Sequence, residues 1–342
     1  MGSSVTMKSL RKNTPPIVDS FGRLHNNLRI GVTDRCNIRC TYCMPEKVTF
    51  LPRNALLTFE EIHRFVSILA AHGVDRLRLT GGEPLVRKGL SVLIAKLKSI
   101  AGIEDIALTT NGILLRDQAL ELKKAGLDRL NISLDTLDRE RFKEVSRRDE
   151  LPRVLDGIDA AVEAGFEKIR LNTVSVAGVT EDEIIPLARF ARDKRLELRF
   201  IEFMPLDADE NWRSSSVLSG EEVRRIISDA VAPLVVADRI NRSQPARDYN
   251  YVDGNGTIGF IDPVSQPFCS DCNRMRITSE GKFRNCLFST VEWDIRELLR
   301  NGSSDEKILE RVRECVGQKK AAHGIDSEHF ERPGKAMYQI GG

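Results

Sequence analysis

The sequence predicts an α/β fold built on a parallel sheet, and three observations lead to that prediction. Up to about residue 205, six short apolar or β-branched runs alternate with segments of helical periodicity. Several of the runs are apolar almost throughout, which is typical of parallel strands covered by helices. Unusual polar residues follow the runs at their carboxyl ends, where ligands gather in such sheets. Successive βα units imply right-handed crossovers and either a doubly wound sheet or a barrel, complete or partial.

The elements of this sheet follow one another along the chain. The strands are predicted at 28–33, 76–80, 106–110, 130–133, 169–174 and 196–203. Three helices begin with a predicted capping box, in which a Thr or Ser and a Glu three residues later each accept the backbone N–H of the other; the boxes start at Thr58, Thr180 and Ser219. Gly73 and Gly126 follow helical stretches, where a left-handed residue commonly ends a helix.

The chain is predicted to have three parts. Residues 1–21 form a polar, flexible arm, residues 22–240 form the βα domain, and residues 241–342 form a C-terminal region. In that last region, a polar, Gly-rich stretch over 241–256 precedes short predicted strands at 257–261, 274–278 and 282–287, and a helical tail begins near residue 291.

The composition excludes several classes of protein. The chain has 342 residues, of which 41% are hydrophobic and 30% are charged, as in an ordinary soluble protein. Its net charge of +2 gives no support to a nucleic-acid or membrane surface. No apolar run is long enough to span a bilayer, and the first 20 residues lack the apolar core of a signal peptide. A cytoplasmic location is therefore expected.

Three of the seven cysteines form a CxxxCxxC group directly after the first predicted strand: Cys36, Cys40 and Cys43. In a chain without an export signal, metal binding is favoured over disulfides. Three thiolates leave one iron of a four-iron cluster open, and an open position lets a metal bind and transform a ligand. The alternative is a zinc ion completed by a histidine, of which His25 and His63 are nearest in the sequence.

A second motif, Gly81-Gly82-Glu83-Pro84, follows the second predicted strand. Glycines let the backbone approach a ligand closely, and a carboxylate can pair with an ammonium group. Together with CxxxCxxC, and with Tyr42 before its third cysteine, this turn resembles the radical S-adenosylmethionine (SAM) superfamily. The resemblance implies a [4Fe–4S] cluster whose open iron chelates SAM, and reductive cleavage of SAM to a 5′-deoxyadenosyl radical.

From about Gly22 to its end, the chain resembles the GTP 3′,8-cyclase family of molybdenum-cofactor biosynthesis. The matching segments are LRIGVTDRCN at 28–37, CMP at 43–45, LTGGEPL at 79–85, TTNG at 109–112, NISLD at 131–135 and RFIEFMP at 199–205. The ending Ile340-Gly341-Gly342 also matches, since in that family a Gly-Gly tail reaches the active site. The implied fold is a partial (βα)₆ barrel of the TIM type with a C-terminal extension that carries a second iron–sulfur cluster.

A second group of three cysteines, Cys269, Cys272 and Cys286, lies in the C-terminal region. From the residues alone, a zinc ribbon short of one ligand is the alternative. The resemblance implies a second [4Fe–4S] cluster whose open iron binds the guanine of GTP. Cys315 has no partner at metal-binding spacing and is predicted to be a buried structural cysteine.

The resemblance also implies ligand contacts, position by position. The family's SAM contacts fall on Tyr42, Gly82, Ser133 and Met204, and its GTP contacts fall on Arg29, Arg78, Thr109, Arg170, Arg274, Met275 and Arg276. Arg170 replaces an expected lysine, so a planar fork stands where the family has a point donor. Six arginines fall on strands or cysteine loops, as a triphosphate requires in a chain of low net charge: Arg29, Arg78, Arg170, Arg199, Arg274 and Arg276.

The resemblance implies a lyase reaction that is the first step of molybdopterin biosynthesis. The adenosyl radical abstracts hydrogen from C3′ of GTP, the C3′ radical attacks guanine C8, and reduction gives 3′,8-cyclo-7,8-dihydro-GTP. The implied partners are GTP, an electron donor and the next enzyme of the pathway. No nucleic-acid or membrane partner is expected. A homodimer is one possible oligomeric state. The alternatives are another radical SAM enzyme with an auxiliary cluster, such as a peptide-modifying one, and a non-enzymatic zinc- or cluster-binding module.

Overall fold

A computed structural model describes residues 14–239 and 241–341 of the chain. Most of the predicted arm at 1–21, and the terminal Gly342, lie outside the described residues. Six parallel strands, paired in chain order, form the middle of the sheet. They are β1 Asn27–Thr33, β2 Arg76–Gly81, β3 Asp105–Thr110, β4 Arg129–Ser133, β5 Ile169–Ser175 and β6 Glu197–Glu202.

Helices connect these strands and cover the outer face of the sheet. They are α1 Phe59–Ala71, α2 Leu90–Lys98, α3 Leu115–Lys124, α4 Arg139–Ser146, α5 Leu151–Glu163, α6 Ile184–Asp193 and α7 Gly220–Ala230. In β1, Leu28 and Ile30 are fully buried in the core that these helices share with the sheet. Arg29 stands between them, and because side chains alternate along a strand, it points to the opposite face of the sheet.

Strands from the C-terminal third extend the sheet at both edges. They are β7 Leu234–Val236, β8 Arg247–Tyr251, β9 Thr257–Ile261, β10 Arg274–Ile277, β11 Lys282–Arg284 and β12 Trp293–Asp294. Strand β10 runs parallel to β1, and β9 runs parallel to β6. The described sheet is therefore β12-β11-β10-β1-β2-β3-β4-β5-β6-β9-β8-β7, with two free edges. Three further helices follow: α8 Arg296–Arg300, α9 Asp305–Gly317 and α10 Met337–Ile340. This is the predicted α/β class, an unclosed parallel sheet with a C-terminal extension.

Two of the three predicted capping boxes are confirmed. Thr58 and Ser219 each accept a bond from the backbone N–H of the third residue on, and the glutamate there binds back. The third prediction is wrong: Thr180 makes no capping bond, and α6 begins only at Ile184 after a 3₁₀ turn. The reason is that the Glu183 carboxylate is buried and accepts the N–H of Leu137 instead. Tertiary contact has overridden the local signal.

Candidate active site

One cavity of about 480 Å³ lies where the parallel strands meet the C-terminal region. Its wall includes all six cysteines of the two groups: Cys36, Cys40, Cys43, Cys269, Cys272 and Cys286. The polar residues that end the strands line it too, among them Asn111, Ser133 and Asp135. The segment after α9 lines another part of the wall, with Lys319 and Tyr338. The two cysteine groups, far apart in sequence, thus face one space.

The first cysteine group sits on a loop that is fixed by backbone hydrogen bonds. The N–H groups of Cys43 and Met44 both bond the carbonyl of Cys40 at 3.0 Å. Arg39 caps the loop by donating to the carbonyls of Cys36 and Ile38, each at 2.8 Å. Burial raises the pKa of the Cys36 thiol to about 11 and that of Cys43 to about 12, so these thiols ionise only when a cation compensates their charge.

The Gly-Gly-Glu-Pro turn holds the cysteine loop in place. A Cβ on Gly82 would lie 2.4 Å from the carbonyl oxygen of Arg35, so only glycine permits this contact. Glu83 does not face the cavity, contrary to the expectation that its carboxylate could pair with the ammonium of SAM. It is 1% exposed and accepts hydrogen bonds from the backbone N–H groups of Leu85 and Asn111 and from the Thr110 hydroxyl. Burial raises its pKa to about 7.

The residues predicted to contact SAM come together beside the first cysteine group. Tyr42, Gly82, Ser133 and Met204 all line the cavity. The Tyr42 hydroxyl donates to Asp135 at 2.5 Å, and the other oxygen of that carboxylate accepts the N–H of Val174 at 2.9 Å. This end of the cavity therefore has fixed acceptors and a half-buried aromatic ring.

The second cysteine group lies in a cationic environment. Cys269 begins a short 3₁₀ turn before β10, Cys272 directly follows that turn, and Cys286 follows β11. Burial opposes ionisation of Cys272, but the charges of Arg274 and Lys319 outweigh it and lower the pKa of this thiol to about 6. Arg274 donates to Cys272 Sγ through two nitrogens at 3.4 Å. Two cations, Arg274 and Lys319, thus lie within hydrogen-bond distance of a sulfur of this group.

Three arginines form a row across the sheet. Register places Arg29 beside Arg276 on β10 and beside Arg78 on β2. All three line the cavity. No carboxylate pairs with Arg29 or Arg78 within the described residues, and burial, followed by the neighbouring arginines, lowers the pKa of both well below the usual value. Like charges directly opposite on a sheet are destabilising, so this row calls for a bound anion.

Two predicted GTP contacts do not reach the cavity wall. The Arg170 side chain pairs with Glu197 at 2.8 Å, outside the described lining of the cavity. Met275 is fully buried in the hydrophobic core between its two arginine neighbours. Thr109, Arg274 and Arg276 do line the cavity, and so does Arg199, which shares Glu197 with Arg170.

Orphaned polar atoms also face the cavity. The Thr109 hydroxyl and the Asn172 side-chain oxygen are buried without a hydrogen-bond partner in the described part of the chain. Both residues line the cavity. Buried polar groups normally find partners, so a polar ligand is expected to bind here.

Two stretches of the chain match known protein families. Residues 30–191 match the Radical SAM superfamily, and residues 196–325 match the family described as Molybdenum Cofactor Synthesis C. A GTP 3′,8-cyclase of Rhodopirellula baltica is 52% identical over 96% of this chain and 93% of its own length. The chain belongs to the GTP 3′,8-cyclase family. Another member, GTP 3′,8-cyclase 2 of Pseudomonas aeruginosa, is 46% identical over 95% of this chain and 98% of its own length.

Solved structures share the fold of this GTP 3′,8-cyclase family member. Streptococcus suis SuiB bound to its precursor peptide matches with a TM-score of 0.63, at 15% identity, over 90% of this chain and 68% of SuiB. The enzyme anSMEcpe with bound AdoMet matches with a TM-score of 0.58, at 15% identity, over 84% of this chain and 82% of its own. At such identities the likeness concerns the fold alone.

Membership in the GTP 3′,8-cyclase family makes SAM and two [4Fe–4S] clusters the cofactors of this chain. The residues fit these groups, because each cysteine group presents three thiols to the cavity. Across the described residues, no three His, Cys, Asp or Glu side chains are placed to hold a single metal ion. A four-iron cluster takes its thiolates on separate irons and does not need them around one point. Over the same residues, no helix is both long and apolar enough to cross a bilayer.

Three residues of the cavity wall are not predicted by any motif in the sequence. Arg23, Lys319 and His323 line the cavity although none belongs to a cysteine motif or a strand end. Arg23 donates to the carbonyls of Cys269, Lys320 and Ala321, which ties the second cysteine loop to the segment after α9. Lysines and arginines in connecting segments are usually solvated, so only the tertiary fold reveals these three.

Proposed function

We propose that this chain converts GTP into 3′,8-cyclo-7,8-dihydro-GTP in the first step of molybdenum-cofactor biosynthesis. The observation that carries the proposal is the row of Arg276, Arg29 and Arg78, in the same cavity as two groups of three thiols. When bound, SAM and the cluster of the first cysteine group supply the 5′-deoxyadenosyl radical that abstracts the C3′ hydrogen of GTP. The family membership of the chain supports the same reaction.

The arginine row is proposed to bind the triphosphate of GTP. Phosphate oxygens accept charge-assisted hydrogen bonds from guanidinium groups, often two at a time, and their charge removes the repulsion within the row. The free hydroxyl of Thr109 is available to the same ligand. Because Arg29, Arg78 and Arg276 all stand on strands, they hold the nucleotide in one orientation. Arg170 and Met275 stay predictions: Arg170 must leave Glu197 to reach GTP, and any contact from Met275 is through its backbone.

The other end of the cavity is proposed to bind SAM. Tyr42, Gly82, Ser133 and Met204 surround it next to Cys36, Cys40 and Cys43. Hydrogen-atom abstraction needs no general acid or base, so the protein acts by orientation and by exclusion of water. The segment 332–341 borders the cavity through Met337 and Tyr338. Ion pairs of Arg332 with Asp207 and of Lys335 with Glu280 and Glu292, and a hydrogen bond from Arg276 to the carbonyl of Gly341, hold this segment in place.

The proposed partners follow from the reaction. The electron that cleaves SAM must come from an external donor, and the cyclic product is the substrate of the next enzyme of the pathway. We place the enzyme in the cytoplasm, and a homodimer is compatible with the proposal.

Reconstitution under anaerobic conditions tests the proposed function. The chain is loaded with iron and sulfide, and 5′-deoxyadenosine is followed after addition of dithionite, SAM and one of GTP, GMP or guanosine. About eight irons per chain, with 5′-deoxyadenosine formed best with GTP and least with guanosine, is the expected result. Cleavage of SAM at the same rate with or without any nucleotide would point to another substrate, such as a peptide. Zinc in place of iron would overturn the proposal.

A further inference from the structure

A buried lysine contacts the second cysteine group. Lys319 follows α9 and is 4% exposed. Its ammonium lies 3.4 Å from Cys272 Sγ, 3.4 Å from the Cys272 carbonyl oxygen and 3.0 Å from the Arg274 carbonyl oxygen. No carboxylate pairs with it among the residues that the structure describes. A lysine is rarely buried without a compensating negative charge. For Lys319, we infer that the thiolates of the second cysteine group supply this charge.

The contacts of Lys319 have two consequences for the cysteine loop. By binding the carbonyls of Cys272 and Arg274, the ammonium fixes the backbone on both sides of Asn273. By donating to Sγ, it sets the direction of the thiolate toward the cavity. Arg274 donates to the same sulfur from its own side chain, so Cys272 receives hydrogen bonds from two cations.

The two cysteine groups differ in this respect. The first group has the carboxylates of Glu83 and Asp135 and the guanidinium of Arg39 as charged neighbours. Its described side-chain hydrogen bonds to sulfur come from neutral groups, namely the Tyr42 hydroxyl to Cys40 and the Asn111 amide to Cys36 at 3.9 Å. Hydrogen bonds to cluster sulfurs and nearby positive charge stabilise the reduced, more negative form of an iron–sulfur cluster. Among the described residues, only the second group has cations that donate directly to a cysteine sulfur.

We propose that Lys319 is a positioning residue for Cys272 and raises the reduction potential of the second [4Fe–4S] cluster. This deepens the proposed function, and it rests on that function only in taking Cys269, Cys272 and Cys286 as cluster ligands. Loss of the ammonium makes reduction of the second cluster about tenfold less favourable, which for one electron is about 59 mV. The first cluster is unaffected, because its cysteines lie outside the contacts of Lys319.

The test is a redox titration of the reconstituted, full-length protein, followed by electron paramagnetic resonance without SAM or GTP. The second cluster's signal is assigned as the one that survives when Cys36, Cys40 and Cys43 are all replaced by Ala. Lys319→Met removes the charge at similar size, Lys319→Arg keeps it, and Lys307→Met is the control, since Lys307 is exposed on α9. The expected result is a lower second-cluster potential in Lys319→Met alone, with iron content unchanged.

The proposal is contradicted by the following results. An unchanged potential in Lys319→Met with full iron content would leave Lys319 as a packing residue. If Lys319→Met loses the second cluster, Lys319→Gln is titrated instead, because it keeps donors for the two carbonyls without the charge; an unchanged potential there overturns the proposal equally. Loss of the cluster from both variants would restrict Lys319 to cluster assembly. Because neither SAM nor GTP is present, the result does not depend on whether the enzyme cyclises GTP.

Discussion

The charged residues around the cavity are separated by sign. The carboxylate of Asp135 lines the cavity near the first cysteine group, whereas the cations of Arg274, Arg276 and Lys319 line it near the second. A ligand with a cationic end and a polyanionic ligand are therefore drawn to opposite ends of one cavity. This arrangement suits SAM beside GTP, and it makes the effect of single substitutions specific to one of them.

Substitution of Arg29, the middle member of the arginine row, tests whether this row binds GTP. We expect Arg29→Met to weaken GTP binding by roughly ten- to a hundredfold, since a hydrogen bond to a charged group contributes about 1.5–3 kcal/mol. Iron content should not change, because Arg29 contacts no cysteine sulfur among the described residues. Titration calorimetry with GTP measures the effect, and Arg225→Met, on an exposed face of α7, is the control. Equal GTP affinity in Arg29→Met and the parent would contradict the role of the row.

His25 predicts a pH dependence of stability. Burial, followed by the charge of Lys319, lowers its pKa from 6.5 to about 4, and its Nδ1 is buried without a partner among the described residues. Because the unfolded chain takes up this proton at higher pH than the folded one, stability is complete above pH 6.5 and falls as the pH drops toward 4. The loss is about 1.4 kcal/mol per pH unit in that window.

Urea unfolding of the parent and of His25→Gln at pH 7.5 and 5.5 checks this dependence. The variant should lose less stability than the parent between the two pH values, whereas His63→Gln on α1 should behave like the parent. Burial opposes ionisation of Asp19, the partner of His25, but hydrogen bonds from His25 and Arg23 outweigh it and lower its pKa from 3.8 to about 2. The stability that Asp19 contributes is therefore fully present throughout this window and is lost only as the pH falls below 3.8. The same slope in His25→Gln and the parent would contradict the assignment.

The residues of the site were predictable where a motif fixes them and not where tertiary pairing decides. The cysteines, Tyr42 and Ser133 belong to local motifs at strand ends, and the structure gathers them around one cavity. Arg170 and Arg199 both lie on strands and both pair with Glu197, yet only Arg199 belongs to the described cavity lining. Strand alternation alone does not predict which of two such arginines reaches a cavity.

At the scale of elements, the central strands follow from the sequence and the outer ones do not. Strands β1 to β6 start and end within one residue of their predicted bounds, because their apolar, β-branched runs are buried under helices. Strand β8, with the sequence RDYNY, lies in a stretch whose polar composition predicts a connecting loop. Its pairing with β7 and β9 near the sheet edge stabilises it, and its side chains give no apolar alternation. Pairing partners of this kind are invisible in one sequence.

The turn after β2 supports a prediction about the cysteine loop. A methyl group on Gly82 would meet the Arg35 carbonyl oxygen at 2.4 Å, so Gly82→Ala must displace the loop that carries Cys36. We expect this variant to bind about half the iron of the parent, because the second cysteine group keeps its own cluster. Gly317→Ala is the matched control, since nothing lies within 4 Å of a Cβ at that glycine. Full iron content in Gly82→Ala would show that the contact is dispensable.

On the scale of the whole molecule, the site exists only because the C-terminal third returns to both edges of the barrel sheet. Strand β10 brings Arg274 and Arg276 next to β1, and β9 pairs with β6. The domain boundary predicted at residue 240 stays a prediction. The pairings of β10 with β1 and of β9 with β6 nevertheless determine how a fragment without the C-terminal region should behave. Met275 and Ile277 of β10 are buried in the same core as the helices of the βα domain.

A fragment of residues 22–239 is therefore expected to be unstable. It would expose the edges of β1 and β6 and the apolar surface that β9 and β10 cover. Soluble yield and resistance to trypsin, compared with those of the full chain prepared in parallel, measure the effect. A soluble, protease-resistant fragment that binds about four irons would contradict this expectation.

Deuterium transfer tests whether this cavity places C3′ of GTP beside the adenosyl group of SAM. The reconstituted enzyme is given GTP deuterated at C3′, together with SAM and reductant, and the mass of the 5′-deoxyadenosine is measured. We expect one deuterium to move from GTP to 5′-deoxyadenosine. Unlabelled 5′-deoxyadenosine, formed at the same rate as with ordinary GTP, would contradict it, because the hydrogen would then come from another position or another molecule.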